Sequence, residues 1–280
     1  MRSRIIFLIL IITATPLAAQ SVRIITAGSG VTETVCALGD CDKIVASDRT
    51  SLYPASIQQL PSIGYRTGIN AEGILSLKPT MVIAEKEYLD AAVLDQLKSS
   101  GVKLVIVEQR YSFDETTIAI NQIGLALGKT EEAKKLIAKN ESELKEAEAM
   151  LSKTKSKPKV ICVYNRGTST MSIAGQKTFA EILRYVGASN AYPEVSGYKP
   201  LNTEALIAAN PDYLVMISTG LESIGGVDGV LKIPGVAQTS AGKLKQIVAV
   251  ESLKLTNFGP RFGEAVKELV LLLHPELQPK

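Results

Sequence analysis

The sequence predicts an α/β protein with two lobes, each a parallel sheet covered by helices, joined by one long rigid α-helix. The ligand cleft lies between the lobes. Three observations lead there. Short apolar runs alternate with helical patterns on both sides of the chain. A charged, Gly- and Pro-free helix separates the two halves. A segment of the first half recurs in the second.

In chain order, RIITAG (23–28) reads as a strand, and Ser29-Gly30 turns into a helix starting near Thr32-Glu33. KIVAS (43–47), TMVIA (80–84) and KLVIV (103–107) are the next strands, with helical stretches between them. From Glu131 to about Lys155 the chain is rich in good helix formers. Leu136, Ile137, Leu144, Ala147 and Leu151 form its apolar stripe. About 25 residues at 1.5 Å each give a strut of roughly 37 Å, long enough to connect two lobes. The same stretch also reads as an ordinary surface helix of a single domain. After Pro158 the alternation resumes with KVICVY (159–164), YLVMI (213–217) and QIVAV (246–250), and a helix from about Phe262 to Leu273 closes the chain.

The repeat is specific. Residues 64–83 read GYRTGINAEGILSLKPTMVI, and residues 197–216 read GYKPLNTEALIAANPDYLVM. Gly64-Tyr65 matches Gly197-Tyr198, while Asn70, Glu72 and Pro79 match Asn202, Glu204 and Pro211. The expected divisions are an export signal at 1–19, an N-terminal lobe at 20–128, the connecting helix at 129–156 and a C-terminal lobe at 157–280.

Residues 1–19 read as a signal peptide. Arg2 and Arg4 precede the apolar run Ile5–Ile12, and Leu17-Ala18-Ala19 offers a cleavage site near Ala19. The apolar run is short for a mature membrane span, although an uncleaved anchor would look similar. No cysteine follows as a lipid attachment point. Of 280 residues, 31 are basic and 28 acidic, a formal charge of +3. Without Arg2 and Arg4 the balance is 29 against 28, or +1. That excludes the basic excess of a nucleic-acid binder.

Cys36 and Cys41, in CALGDC, are close enough for a local disulfide. Two reduced thiols at a helix end are the alternative. No His or further Cys lies nearby to complete a metal site. Cys162, in VICVY, reads as a buried strand thiol. Gly28-Ser29-Gly30 fits neither GxGxxG nor GxxxxGK[ST], so it reads as rim of the cleft rather than a nucleotide site.

The order of TETVCALG, YP, LPSIGY, NAEGILSLKPTMVIA, the long helix, AGQKT (174–178), GYKPLNTEAL and FGPRFGEAV…LLLHPEL resembles the class III periplasmic binding proteins of ABC importers. Within that class the chain is most similar to the haem-binding receptors. The resemblance covers the mature chain. It implies two Rossmann-like lobes, a monomer, haem as transported ligand, a dimeric ABC permease as partner, a periplasmic location and no catalysis.

By the same resemblance, Tyr65 is the axial ligand of ferric haem, the only metal expected. A phenolate is a hard donor that suits hard ferric iron, and a phenol with a free pKa near about 10 needs the metal and a nearby cation to ionise. Arg66 supplies that charge or pairs with a propionate. Relatives place the arginine two residues after the tyrosine, where this chain has Thr67. Tyr65 also reads as an aromatic that packs an organic ligand without metal. Arg166, Gln176, Lys177 and Tyr198 are candidate cleft contacts from the second lobe. The sole histidine, His274, sits at a helix end before Pro275 and reads as a cap or surface residue, so five-coordinate iron is expected. The resemblance assigns Glu72 and Glu204 to docking on the permease. Locally, they are first-turn acids behind Asn N-caps, and the two readings are compatible.

Cobalamin or a ferric siderophore is the alternative cargo. The absence of Trp shifts weight towards haem. An exported enzyme is the remote alternative: there is no GxSxG or HExxH, and one histidine supports neither a triad nor a zinc hydrolase.

Overall fold

The structure, a computed structural model, describes residues 21–167 and 170–278. The expected export signal and its cleavage site lie outside the described residues.

The N-terminal lobe carries strands β1 (Ile24–Ala27), β2 (Ile44–Ser47), β3 (Met81–Glu85) and β4 (Lys103–Val107). They form an all-parallel sheet of order β2-β1-β3-β4. Helices α1 (Ser29–Ala37), α2 (Ala71–Ser76), α3 (Ala91–Ser99) and α4 (Phe113–Leu127) cover it. Both faces are buried. Ile24, Met81 and Ile83 point into one core, while Ile25, Val82 and Ala84 point into the other. Two covered faces explain why these strands read as unbroken apolar runs. Cys36 and Cys41 are disulfide-bonded, tying the end of α1 to the turn that feeds β2.

The long helix α5 spans Thr130–Leu151, 22 residues or about 33 Å. Its first half contributes Ala133 and Ile137 to the N-terminal core. Its second half contributes Ala147, backed by Leu144 and Leu151, to the C-terminal core. It therefore joins two cores rather than lying on one.

The C-terminal lobe holds β5 (Lys159–Arg166), β6 (Thr170–Ala174), β7 (Ser189–Asn190), β8 (Tyr198–Pro200), β9 (Tyr213–Ile217) and β10 (Ile247–Val250). The sheet order is β10-β9-β5-β6-β8, with β7 beside β5. The helices are α6 (Thr203–Ala209), α7 (Ser218–Ser223), α8 (Gly226–Leu231), α9 (Ser240–Lys243), α10 (Ser252–Thr256) and α11 (Phe262–Leu273). The sheet is parallel through β10, β9 and β5, as expected, and a hairpin extends it beyond β5. β6 runs antiparallel to both β5 and β8, because the chain reverses after Gly167, which sits at φ 63°. A hairpin returns the chain without the helix that a parallel crossover needs.

α11 packs along α5. The centre of their contact is Asn140, fully buried. Its Oδ1 accepts from Gly263 N–H at 2.9 Å, and its Nδ2 donates to Pro260 O at 2.9 Å. Gly263 has to be glycine at this approach, since a Cβ there would fall 2.6 Å from Glu143 Cβ. Asn140→Ala is expected to cost about 2–3 kcal/mol, because it orphans a buried N–H and a buried carbonyl. Urea unfolding measures it, and a loss under about 0.5 kcal/mol would show that this contact does not hold α11.

His274 is not a surface residue. It is fully buried at the end of α11, with Nε2 2.8 Å from Val186 O and Nδ1 3.7 Å from Glu276. The helix ends inside the packed lobe, so its last residue is enclosed.

Candidate functional site

A cleft of about 1420 Å³ opens between the lobes. The C-terminal ends of β1–β4 and the loops after them form one wall. The ends of β5 and β9 with α7 and α10 form the other. That is where open α/β sheets collect ligands, since loops of different strands converge there.

Of the nine tyrosines in the chain, six line this cleft: Tyr53, Tyr65, Tyr88, Tyr111, Tyr164 and Tyr198. Tyr65 is half-buried in the loop between β2 and α2. Gly64, at φ 103°, shapes the turn, and Gly64 O accepts from Arg49 N–H at 2.9 Å. Gly68 N–H then donates to Tyr65 O at 2.7 Å, closing the loop on itself. Arg66 follows, exposed, in the same cleft. From the other lobe come Tyr198, 47% exposed on β8, and Lys177, exposed in the loop after β6. The rings of Tyr164 and Tyr198 pack 5.2 Å apart.

One predicted contact is placed differently, and another is not described. Gln176 does not line the cleft: its amide donates to Pro193 O at 2.7 Å, which turns it to the outside of the lobe. Arg166 ends β5, and its side chain lies outside the described residues. The two halves of the repeat also differ locally, because Tyr65 stands in a turn whereas Tyr198 stands in a strand.

Arg49, Arg66 and Lys177 are exposed cations of the cleft, and no carboxylate of the described residues pairs with any of them. Arg110, by contrast, is buried and committed. Its Nη2 lies 3.0 Å from Glu85 Oε2 and donates to Asn257 O at 3.3 Å. Burial lifts the Glu85 carboxyl above the usual range, an effect only partly offset by Arg110. Burial also pushes the Tyr88 phenol up to about 12, against a weaker opposing effect of its hydrogen bond with Thr50. Tyr88 is thus a neutral phenol at physiological pH. Burial likewise raises the Cys162 thiol, which sits sealed in β5.

The lobes meet at a polar seam beneath the cleft. Ser29 Oγ donates to Asn257 Oδ1 at 2.8 Å, and Thr116 Oγ1 donates to Phe258 O at 2.7 Å. Glu33 of α1, with its side chain 3% exposed, accepts from Asn257 Nδ2 at 3.2 Å and pairs with Arg261. The Gly28-Ser29-Gly30 turn is part of this seam and of the cleft rim.

Glu72 and Glu204 occupy matching places. Each is an exposed residue in the first turn of a helix, α2 and α6. Asn70 caps the first by accepting from Gly73 N–H at 2.8 Å, and Asn202 caps the second by accepting from Ala205 N–H at 2.9 Å.

Tyr53, Tyr88, Tyr111 and Arg49 were not among the sequence-derived candidates. A signal for them existed. Arg49 and Tyr53 follow the end of β2, Tyr88 follows β3 by three residues, and Tyr111 follows β4 by four. The carboxyl ends of parallel strands are where such residues face a ligand.

Among solved structures, the periplasmic heme-binding protein RhuT from Roseiflexus sp. RS-1, in its apo form, is similar at TM-score 0.86 and 37% identity, covering 92% of this chain and 100% of that one. The uncharacterized ABC transporter substrate-binding lipoprotein YvrC of Bacillus subtilis is 30% identical over 250 residues, 88% of this chain and 77% of its own. The vitamin B12-binding protein of Vibrio vulnificus is 26% identical over 221 residues, 78% of this chain and 79% of its own. The profile of the family described as periplasmic binding protein matches residues 24–252. Two α/β lobes, one connecting helix, a cleft between them and a family match over most of the chain lead to one conclusion: this chain belongs to the periplasmic binding protein family.

Proposed function

We propose that this protein is a periplasmic haem receptor that delivers its cargo to an ABC importer. The observation that carries the reading is the cleft itself, with six tyrosines around it and three cations that pair with no carboxylate among the described residues. Haem is flat, aromatic, ferric when oxidised, and carries two carboxylates. Its faces suit aromatic walls, its iron suits a phenolate, and its propionates suit Arg49, Arg66 and Lys177. The similarity to RhuT, a heme-binding protein, supports the same cargo.

In this reading Tyr65 is the iron ligand, with five-coordinate iron. Arg66, at the next position, lies in the cleft to serve the phenolate or a propionate. Export occurs by a signal cleaved near Ala19, and the receptor acts as a monomer. Glu72 and Glu204, one on each lobe, dock on the two subunits of a permease dimer. The seam through Glu33, Asn257 and Arg261 favours modest lobe movement on binding, because closure by tens of degrees would have to break it.

The similarity to a vitamin B12-binding protein keeps cobalamin as the second reading. The periphery of cobalamin is mostly neutral amide, which leaves the three cations with less to bind. Parallel titrations with hemin and cyanocobalamin, read by absorbance, separate the two. Saturable binding of hemin alone is the expected result, and saturable binding of cyanocobalamin alone would replace haem by cobalamin.

A further inference from the structure

Tyr53 is 45% exposed, lines the cleft and belongs to the N-terminal lobe. Its ring is not packed into a core. Instead, the guanidinium of Arg261 lies over one face, with Cζ 3.9 Å from the ring centroid. Arg261 comes from the other lobe, just before α11. Two carboxylates fix it there: the buried Glu33 of the N-terminal lobe at Nε, and Glu251 of the C-terminal lobe at Nη1, 2.8 Å away. Asn257 in turn holds Glu33. A free surface tyrosine samples several rotamers, whereas this one rests on a cation that cannot easily move.

We propose that Tyr53 is a stacking platform for the flat face of the ligand, and that Arg261 is the positioning residue that holds it. This rests on the haem reading. The chemistry follows from the geometry. One ring face is on the guanidinium and the ring lines the cleft, where a planar π-system can stack on it. The cation draws electron density from the ring, which favours a stacked partner that is electron-rich and carries negative charge. Because Tyr53 and Arg261 sit on opposite lobes, the platform exists only while the lobes are apposed. The seam is thereby coupled to affinity.

Hemin and iron-free protoporphyrin IX are the probes, titrated into the wild type, Tyr53→Phe, Tyr53→Leu, Arg261→Lys and the Tyr53→Leu/Arg261→Lys double variant. Tyr53→Leu is expected to weaken both ligands on the order of tenfold, while Tyr53→Phe stays near wild type. Arg261→Lys keeps the charge that Glu33 needs but loses the flat guanidinium, so it should weaken binding several-fold. In the Tyr53→Leu background it should add nothing, since its effect runs through the ring. Thermal unfolding of each variant checks that the fold is intact. Unchanged binding of both ligands by Tyr53→Leu would overturn the platform. Losses that multiply in the double variant would overturn the positioning role. Failure of the wild type to bind hemin would overturn the haem reading, and this inference with it.

Discussion

Tyr65→Phe is expected to reduce hemin affinity by more than the ~10–100-fold that removing an outer partner of a metal site costs, because it removes the proposed ligand atom itself. The substitution deletes one oxygen and keeps the ring. The loop stays closed by its backbone bonds from Arg49 to Gly64 and from Gly68 to Tyr65, which do not involve the side chain. Loss of binding would thus report ligation rather than packing. Iron-free protoporphyrin IX should bind the variant as it binds the wild type, since it has no iron to ligate. Absorbance titrations with both ligands measure the contrast. Equal hemin affinity and an unchanged ferric spectrum in Tyr65→Phe would make Tyr65 a packing aromatic, which the sequence also permits.

Reversing both proposed docking charges should have the next largest effect. Glu72→Lys with Glu204→Lys is expected to lower haem uptake by tenfold or more in cells that depend on this receptor, while hemin affinity stays unchanged. Both side chains are exposed at capped helix starts and lie outside the cleft. The Asn70 and Asn202 caps are unaffected, so each helix exchanges a favourable first-turn charge for an unfavourable one, a cost of about 1–2 kcal/mol at most. Each single reversal should give an intermediate loss, because the two lobes would dock on separate permease subunits. Normal uptake by the double variant would remove both residues from docking.

Much of the fold is legible because burial on both faces leaves a plain signature. KLVIV at 103–107 and YLVMI at 213–217 coincide with β4 and β9, and the closing helix coincides with α11. The stripe on α5 is readable because it repeats at helical spacing over a charged background. β6, β7 and β8 are not legible. β7 is two residues long, and β8 is three exposed residues ending in a proline. Such pieces carry no periodicity, and their pairing with a neighbour decides their structure. α1 begins at Ser29, earlier than the Thr32-Glu33 start suggested by its polar residues. Thr32 and Glu33 are buried there, satisfied by Thr26, Ser51 and the seam.

The cleft was legible in part. The Gly-Tyr repeat led to Tyr65 and Tyr198, and both line it. Gln176 was misplaced because a strand-end loop has two sides, and the carbonyl of Pro193 captures its amide on the outer one. Arg261 stands in the FGPRFGEAV segment, but its role could not be read from the sequence. Its place depends on Glu33, which lies 228 positions away in the chain.

These features describe a receptor whose binding surface is assembled from both lobes and fixed by the seam beneath it. The crystal structure of the hemin complex tests that directly. The expected density shows one ferric porphyrin bonded to Tyr65 Oη, carboxylates towards Arg49, Arg66 or Lys177, and a lobe angle close to that of the free protein. Iron bonded to another residue, or a porphyrin bound outside the cleft, would contradict it.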